Sequence, residues 1–157
     1  MAHYAATVTS RRSAQAVFDY LADFSSTAEW DPGVIAARRL TAEPLRVGAR
    51  FHVVAGFLGR QVPLEYRTVE IDRPRRVVLR AESASAVSED TITVRELPGS
   101  GTEVVYDAQL RLRGPLRLAD PVLGVFFTRI GDRAKAGLAN ALAPPGRVSQ
   151  PAERGPE

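Results

Sequence analysis

Hydrophobic and polar residues alternate with a period of two through the middle of the chain, which predicts a run of β-strands. The clearest case is residues 103–112, where one face is apolar and the other mostly charged. The pattern predicts strands at 3–9, 34–40, 50–57, 62–72, 76–81, 91–95 and 103–112. Because no helix-length segment separates the last six strands, they are expected to form an antiparallel meander.

Two short helices are predicted between the first and second strands. Ser13 is a candidate N-cap, and the apolar residues after it recur at spacings of three and four. Ser26 and Glu29 have the spacing of a capping box, which predicts the start of a second helix there. Asp31-Pro32-Gly33 is expected to end that helix, because proline and glycine interrupt the helical hydrogen bonds.

A long helix is predicted from Asp120-Pro121 to about Leu142, followed by Pro144-Pro145-Gly146. Its length of roughly 33 Å matches that of a ten-residue strand, so it can lie along the sheet. Its apolar stripe comprises Val122, Phe126, Ile130, Ala134, Leu138 and Ala141. The fold class is therefore α+β, with one domain at 1–143 and a disordered tail at 144–157.

Composition narrows the function classes. The chain has 157 residues and no cysteine, which excludes disulfides and zinc–thiolate sites. Neither a secretory signal nor a membrane span is recognisable, so we expect a cytoplasmic protein. The sequence does not decide between a monomer and a homodimer. The net charge is +3; the arginines around Pro74 lack interleaved aromatics, and we expect a solvated turn there and no nucleic-acid partner.

Five segments, in this order and spacing, resemble the START-like (SRPBCC) superfamily, in particular its polyketide cyclase/dehydrase and lipid transport branch. The resemblance covers residues 3–142 and is most specific in the first segment, where an aromatic-rich helix runs into a Trp-Asp-Pro corner. The segments are VFDYLADFSSTAEWDPGV at 17–34, FLGR at 57–60, EIDRPRRVVLRAES at 70–83, SEDTITV at 88–94 and GPLRLADPVLG at 114–124.

The resemblance implies a helix-grip fold, in which a curved seven-stranded sheet wraps the last helix and leaves a cavity between them. It also implies a small hydrophobic ligand such as a lipid, sterol, polyketide or hormone. We expect no cofactor. Small residues on the predicted inward faces either leave room for a ligand or let the helix pack closely: Ala55, Ala81, Ala108, Ala134, Gly137 and Ala141. The residues expected to line the cavity are Trp30, Phe51, Val53, Ala55, Phe57, Tyr66, Tyr106, Ala108, Phe126, Ile130 and Ala134.

Few polar residues are candidates for chemistry inside such a cavity. Tyr106 lies on the apolar face of its strand and is either a core tyrosine with a partner or a phenol that orients a ligand oxygen. Asp90 alternates in phase with Ile92 and Val94, so it is expected on the same inward face of the strand. It is there either paired with another side chain or a general acid with a raised pKa. Tyr66 is expected to point inward, opposite to Glu65 on its strand.

Other candidates carry less chemistry. Trp30 either covers one mouth of the grip or contacts the ligand. His52 is expected on the solvent face and His3 at the N-terminus, which is too few ligands for a metal site. No nucleophile elbow or phosphate loop is present.

Three functions remain open on the sequence alone. The first is binding of a small hydrophobic molecule. The second is a polyketide cyclase, aromatase or dehydratase that uses acid/base chemistry, with Tyr106, Asp90 and Tyr66 as candidate catalytic residues. The third is an accessory or stress-related domain whose pocket is vestigial. The small number of ionisable groups expected to face the cavity favours binding.

Overall fold

The fold is known from a computed structural model, which describes residues 1–42, 44–57, 59–115 and 120–144. Side chains are described for all of these except 120–127 and 130. The described residues form seven strands, β1 (Ala2–Ser10), β2 (Val34–Arg39), β3 (Arg50–Phe57), β4 (Arg60–Asp72), β5 (Arg76–Glu82), β6 (Ala86–Glu96) and β7 (Thr102–Leu112). The helices are α1 (Ala14–Ala22), α2 (Thr27–Trp30) and α3 (Asp120–Ala141), with a 3-10 turn (Phe24–Ser26) between α1 and α2.

The strands form one antiparallel sheet in the order β1-β7-β6-β5-β4-β3-β2. From β2 to β7 each strand pairs with the next along the chain, which confirms the predicted meander. β1 closes the order by pairing with β7, from Ala2 opposite Leu110 to Ser10 opposite Thr102. The β3–β4 hairpin turns at Gly59, whose φ of 72° is a conformation that glycine adopts without steric cost.

The start of α1 agrees with the sequence, whereas the predicted capping box is wrong. The Ser13 hydroxyl accepts a hydrogen bond from the amide of Ala16, as an N-cap does. Ser26 already has helical dihedrals, so its side chain makes no capping bond to α2. Its hydroxyl instead accepts a bond from the Trp30 indole, and Glu29 accepts one from the Tyr20 hydroxyl.

α3 packs against β1 and α2 at two points of very close approach. A Cβ at Gly131 would lie 2.3 Å from the Tyr4 ring, and a Cβ at Gly137 would lie 1.8 Å from the Trp30 carbonyl oxygen. At the C-terminal end of the helix, the Ser10 hydroxyl donates to the Leu142 carbonyl at 2.8 Å. Glycine at these positions therefore allows the helix to pack closely on the strand and the short helix.

The architecture is the α+β helix-grip fold expected from the sequence, with a curved seven-stranded sheet and a long C-terminal helix.

The arginine-rich turn around Pro74 lies at the surface, where each arginine side chain is exposed and forms an ion pair with an acidic residue. Arg73 pairs with Asp19, Arg75 with Asp72 and Arg76 with Glu70. Most of the proposed tail, residues 145–157, lies outside the described residues, so its disorder stays a prediction.

Candidate functional site

The strand register arranges inward-facing residues in rows across the concave face of the sheet. One row runs from Tyr4 through Ala108, Asp90 and Leu79 to Thr68. A neighbouring row comprises Ala2, Leu110, Ser88, Ala81, Tyr66 and Phe51. Polar side chains from β4, β6 and β7 are thereby placed together near the centre of an apolar surface.

The two ends of the concave face differ in how completely they are covered. At the end under α1, the inward side chains of the sheet are fully buried against that helix, among them Val77, Ile92 and Val104, and so is Phe18 of α1. At the other end, inward-facing apolar side chains remain partly exposed. These are Ala55, Phe57, Leu64, Ala86, Leu110 and Leu112, together with Val62, which is 36% exposed. Among the described residues, the concave face is therefore fully buried at one end and partly exposed at the other, which we call the open end.

A hydrogen-bonded polar cluster lies between these two ends. The Tyr106 hydroxyl donates to Asp90 Oδ1 at 2.6 Å, and the Tyr66 hydroxyl donates to Ser88 Oγ at 2.9 Å. Asp90 is only 3% exposed, and its second oxygen, Oδ2, has no hydrogen-bond partner. A buried carboxylate oxygen without a partner is energetically costly, so this atom is the least satisfied part of the site.

Burial dominates the electrostatics of the cluster. Loss of solvation raises the pKa of Asp90 to about 6, against the lowering effect of the hydrogen bond from Tyr106 and of the nearby Tyr66 hydroxyl, which itself donates to Ser88. The Asp31 and Asp107 charges raise this pKa further. The pKa values of Tyr66 and Tyr106 are raised well above 10, first by burial and then by the nearby Asp90 charge. Near neutral pH the two phenols therefore donate hydrogen bonds, and the carboxyl group can gain or lose a proton.

Aromatic rings flank the cluster on two sides. Trp30, at the end of α2, meets Tyr106 edge to face with ring centroids 5.4 Å apart. Phe24, in the 3-10 turn, lies 4.9 Å from Tyr66, centroid to centroid. Trp30 is buried, so it lines the interior as well as supporting α3 through its carbonyl contact with Gly137.

The predicted site residues fall into three groups. Trp30, Tyr66, Tyr106 and Ala108 lie at the polar cluster, with Asp90 at its centre. Phe51, Val53 and Ala134 are buried in the core, whereas Ala55 and Phe57 lie at the open end. Phe126 and Ile130 belong to α3, but their side chains lie outside the described residues.

The histidines take no part in the cluster. His3 is exposed on β1 and contacts Asp107 at 2.7 Å, and the half-buried His52 points to the other face from Phe51 and Val53. Among the described residues, no group of three or more potential metal ligands occurs.

Sequence reasoning missed three contributors to the site. Asp31 follows α2, accepts a hydrogen bond from the Gly33 amide at 2.7 Å, and has its pKa raised by burial. Ser88 accepts the hydrogen bond from Tyr66. Because it is two residues from Asp90 on the same strand, the alternation in the sequence indicates that it faces inward as Asp90 does. Thr68 is fully buried and its hydroxyl has no partner, which the alternation in β4 suggested only as an inward position.

A curved sheet that holds a helix and encloses a few polar groups among apolar ones defines the helix-grip class. The chain belongs to the polyketide cyclase / dehydrase and lipid transport family, whose model matches residues 1–143. No curated protein sequence matches the chain. No helix in the described part of the chain is both long and apolar enough to cross a membrane.

Solved structures resemble this one in fold at low sequence identity. A START superfamily protein from Mycobacterium smegmatis has a TM-score of 0.72 at 12% identity, covering 89% of this chain and 96% of that one. The ZhuI aromatase/cyclase from Streptomyces sp. R1128 has a TM-score of 0.73 at 16% identity, with coverages of 89% and 92%. The di-domain aromatase/cyclase BexL of the BE-7585A biosynthetic pathway has a TM-score of 0.64 at 20% identity; the match covers 89% of this chain and 49% of BexL.

Proposed function

We propose that the protein binds a small, largely apolar molecule between the concave face of the sheet and α3, with the polar end of the molecule at Asp90, Tyr106 and Tyr66. The observation that carries this proposal is the row of inward-facing apolar side chains left partly exposed at one end of the grip. In a fully packed core, leucine and valine at such positions would be covered, because burying them is favourable.

The polar cluster gives such a site its orientation. Ligand sites are mostly apolar with a few placed polar groups, which fix how the molecule lies. Here the apolar part of the ligand would lie against Leu64, Leu110 and neighbouring residues, and its polar group would reach Asp90 Oδ2. The partnerless oxygen would then gain the hydrogen bond that the protein itself does not supply.

The test is binding of the neutral, environment-sensitive dye Nile red, followed by fluorescence and by competition with unlabelled apolar compounds. Ala108→Trp adds bulk to the concave face beside Asp90, and we expect it to weaken binding at least about tenfold by filling the site. Gln109→Trp, one residue further along β7 and on the opposite face, is the matched control and should bind as the unmodified protein does. Equal binding by all three folded proteins would contradict the proposed location.

A second candidate is a cyclase acting by acid/base chemistry in the same place, and one specific observation favours it. Asp90 has a pKa of about 6, so its carboxyl group can take up or release a proton near neutral pH, while the Tyr106 phenol stays protonated and donates a hydrogen bond to it. The assay is aldol cyclisation of a synthetic poly-β-ketone thioester, followed by mass spectrometry. Asp90→Asn and Tyr106→Phe should each slow turnover at least about a hundredfold; turnover unchanged in both folded variants would exclude this candidate.

A further inference from the structure

The described charged groups that act on Asp90 are acidic, namely Asp31 and Asp107. The charge of Asp31 raises the pKa of Asp90, and burial raises the pKa of Asp31 itself. Among the described residues, neither carboxylate forms an ion pair with an arginine, lysine or histidine. The described basic residues of α3, at 129, 133 and 135, are all exposed. Within the described part of the chain, the buried carboxylate of Asp90 therefore has no basic side chain to pair with.

The surroundings of this charge suit a cation. Besides the carboxylates, the described groups around Asp90 are the phenols of Tyr66 and Tyr106, the Ser88 hydroxyl bonded to Tyr66, and the Trp30 ring against Tyr106. Aromatic rings attract cations through the negative potential of their faces. The phenols also hydrogen-bond, but they bring no positive charge, since each remains protonated.

We infer that the ligand carries a basic amine, whose ammonium group pairs with Asp90 Oδ2 among the rings of Trp30, Tyr66 and Tyr106. This inference rests on the proposed function and names the ligand class for the same site. The partnerless oxygen on a carboxylate 97% buried is its second, independent support, because that atom points to a missing donor. A neutral hydroxyl can satisfy the hydrogen bond but leaves the charge uncompensated, and a fatty acid adds a third negative charge.

An ammonium ligand and a neutral ligand are expected to differ in how their affinity for the protein depends on pH. Burial raises the pKa of Asp90 to about 6, so the carboxylate is mostly protonated at pH 5 and mostly ionised at pH 8. An ammonium ligand needs the ionised form, so its affinity should rise between these pH values. A hydroxyl or carbonyl ligand gains no charge pair on ionisation, and its affinity should stay level or fall.

The experiment compares three probes of one shape by isothermal titration calorimetry, namely 2-(2-naphthyl)ethylamine, 2-(2-naphthyl)ethanol and 2-naphthylacetate. At pH 8 the amine should bind at least about tenfold more tightly than the alcohol, and the carboxylate more weakly than either. The preference for the amine should shrink at pH 5. Asp90→Asn should remove it, whereas Glu89→Gln, on the outer face of the same strand, should keep it.

The possible results separate the two proposals. Equal affinity of amine and alcohol at pH 8, or tighter binding of the carboxylate, would overturn the amine inference and leave the apolar site standing. Absence of binding by all three probes, together with no Nile red binding, would overturn both. The wild-type pH series decides the question even where Asp90→Asn fails to fold.

Discussion

Asp90 is the residue whose replacement tests the electrostatics of the interior most directly. Its pKa lies at about 6, against an ordinary value of 3.8, chiefly because the carboxyl group is buried. The folded protein thus holds this proton more tightly than the unfolded chain does. Stability linked to the group is fully present below about pH 4 and is lost as the pH rises through 6.

The size of the effect follows from the shift. At about 1.4 kcal/mol per pH unit, a rise from 3.8 to about 6 corresponds to about 3 kcal/mol of unfolding free energy lost by pH 8. Asparagine resembles the protonated form and has no charge to bury. We therefore expect Asp90→Asn to gain about 3 kcal/mol relative to the unmodified protein on going from pH 4 to pH 8.

The assay is urea unfolding at a series of pH values, followed by the fluorescence of Trp30, the only tryptophan in the chain. Glu89→Gln is the control, since it removes an outer-face carboxylate from the same strand. The reasoning would be refuted if the difference in unfolding free energy between Asp90→Asn and the unmodified protein stayed constant from pH 4 to pH 8. A constant difference would mean that ionising Asp90 does not destabilise the fold.

Three further predictions concern packing and hydrogen bonding, and each is measured by urea unfolding. Gly137→Ala should destabilise by about 1–3 kcal/mol, because a Cβ would meet the Trp30 carbonyl at 1.8 Å, whereas Asn140→Ala on the exposed face should be neutral or slightly stabilising; equal effects would contradict the close approach. Tyr106→Phe should cost about 1–3 kcal/mol at pH 8 and raise the pKa of Asp90 further, as seen by carboxyl NMR, since a bond that lowers this pKa is lost; an unchanged pKa would be contrary evidence. Ser10→Ala should cost about 1 kcal/mol by freeing the carbonyl at the end of α3, and Ser85→Ala, which is exposed, should cost less.

Alternation along single strands was enough to place Asp90, Tyr66 and Tyr106 on the concave face. It could not predict that Tyr106 bonds to Asp90, since that contact depends on the β6–β7 register, in which Ile92 lies opposite Tyr106 and Asp90 opposite Ala108. Register is set by the turn at 97–101 and by packing on both faces, and the period-two pattern carries neither.

The contributors from the helical segment were harder to predict. The sequence predicts Asp31 only as part of a helix-ending turn, and the structure agrees, because its carboxylate accepts a hydrogen bond from the Gly33 amide. Its electrostatic effect on Asp90 arises from folding the α2 corner over the sheet. The sequence predicts Gly137 as a small, inward-facing residue, but its contact with the Trp30 carbonyl depends on where α3 lies on α2. Such tertiary contacts have no local signature in the sequence.

The loss of fold stability on ionisation of Asp90 and the proposed amine ligand are connected. In the free protein an ionised Asp90 only weakens the fold, and an apolar residue there would be more stable. Sites that lower stability in this way are typical of function. An ammonium ligand would compensate the same charge. At a concentration of about one hundred times its Kd, 2-(2-naphthyl)ethylamine should stabilise the protein at pH 8 by about 2.7 kcal/mol, close to what ionisation costs. At pH 8 the wild-type protein should reach this stabilisation at a far lower amine concentration than Asp90→Asn does. Equal amine concentrations for the two proteins would mean that the amine does not compensate the charge of Asp90.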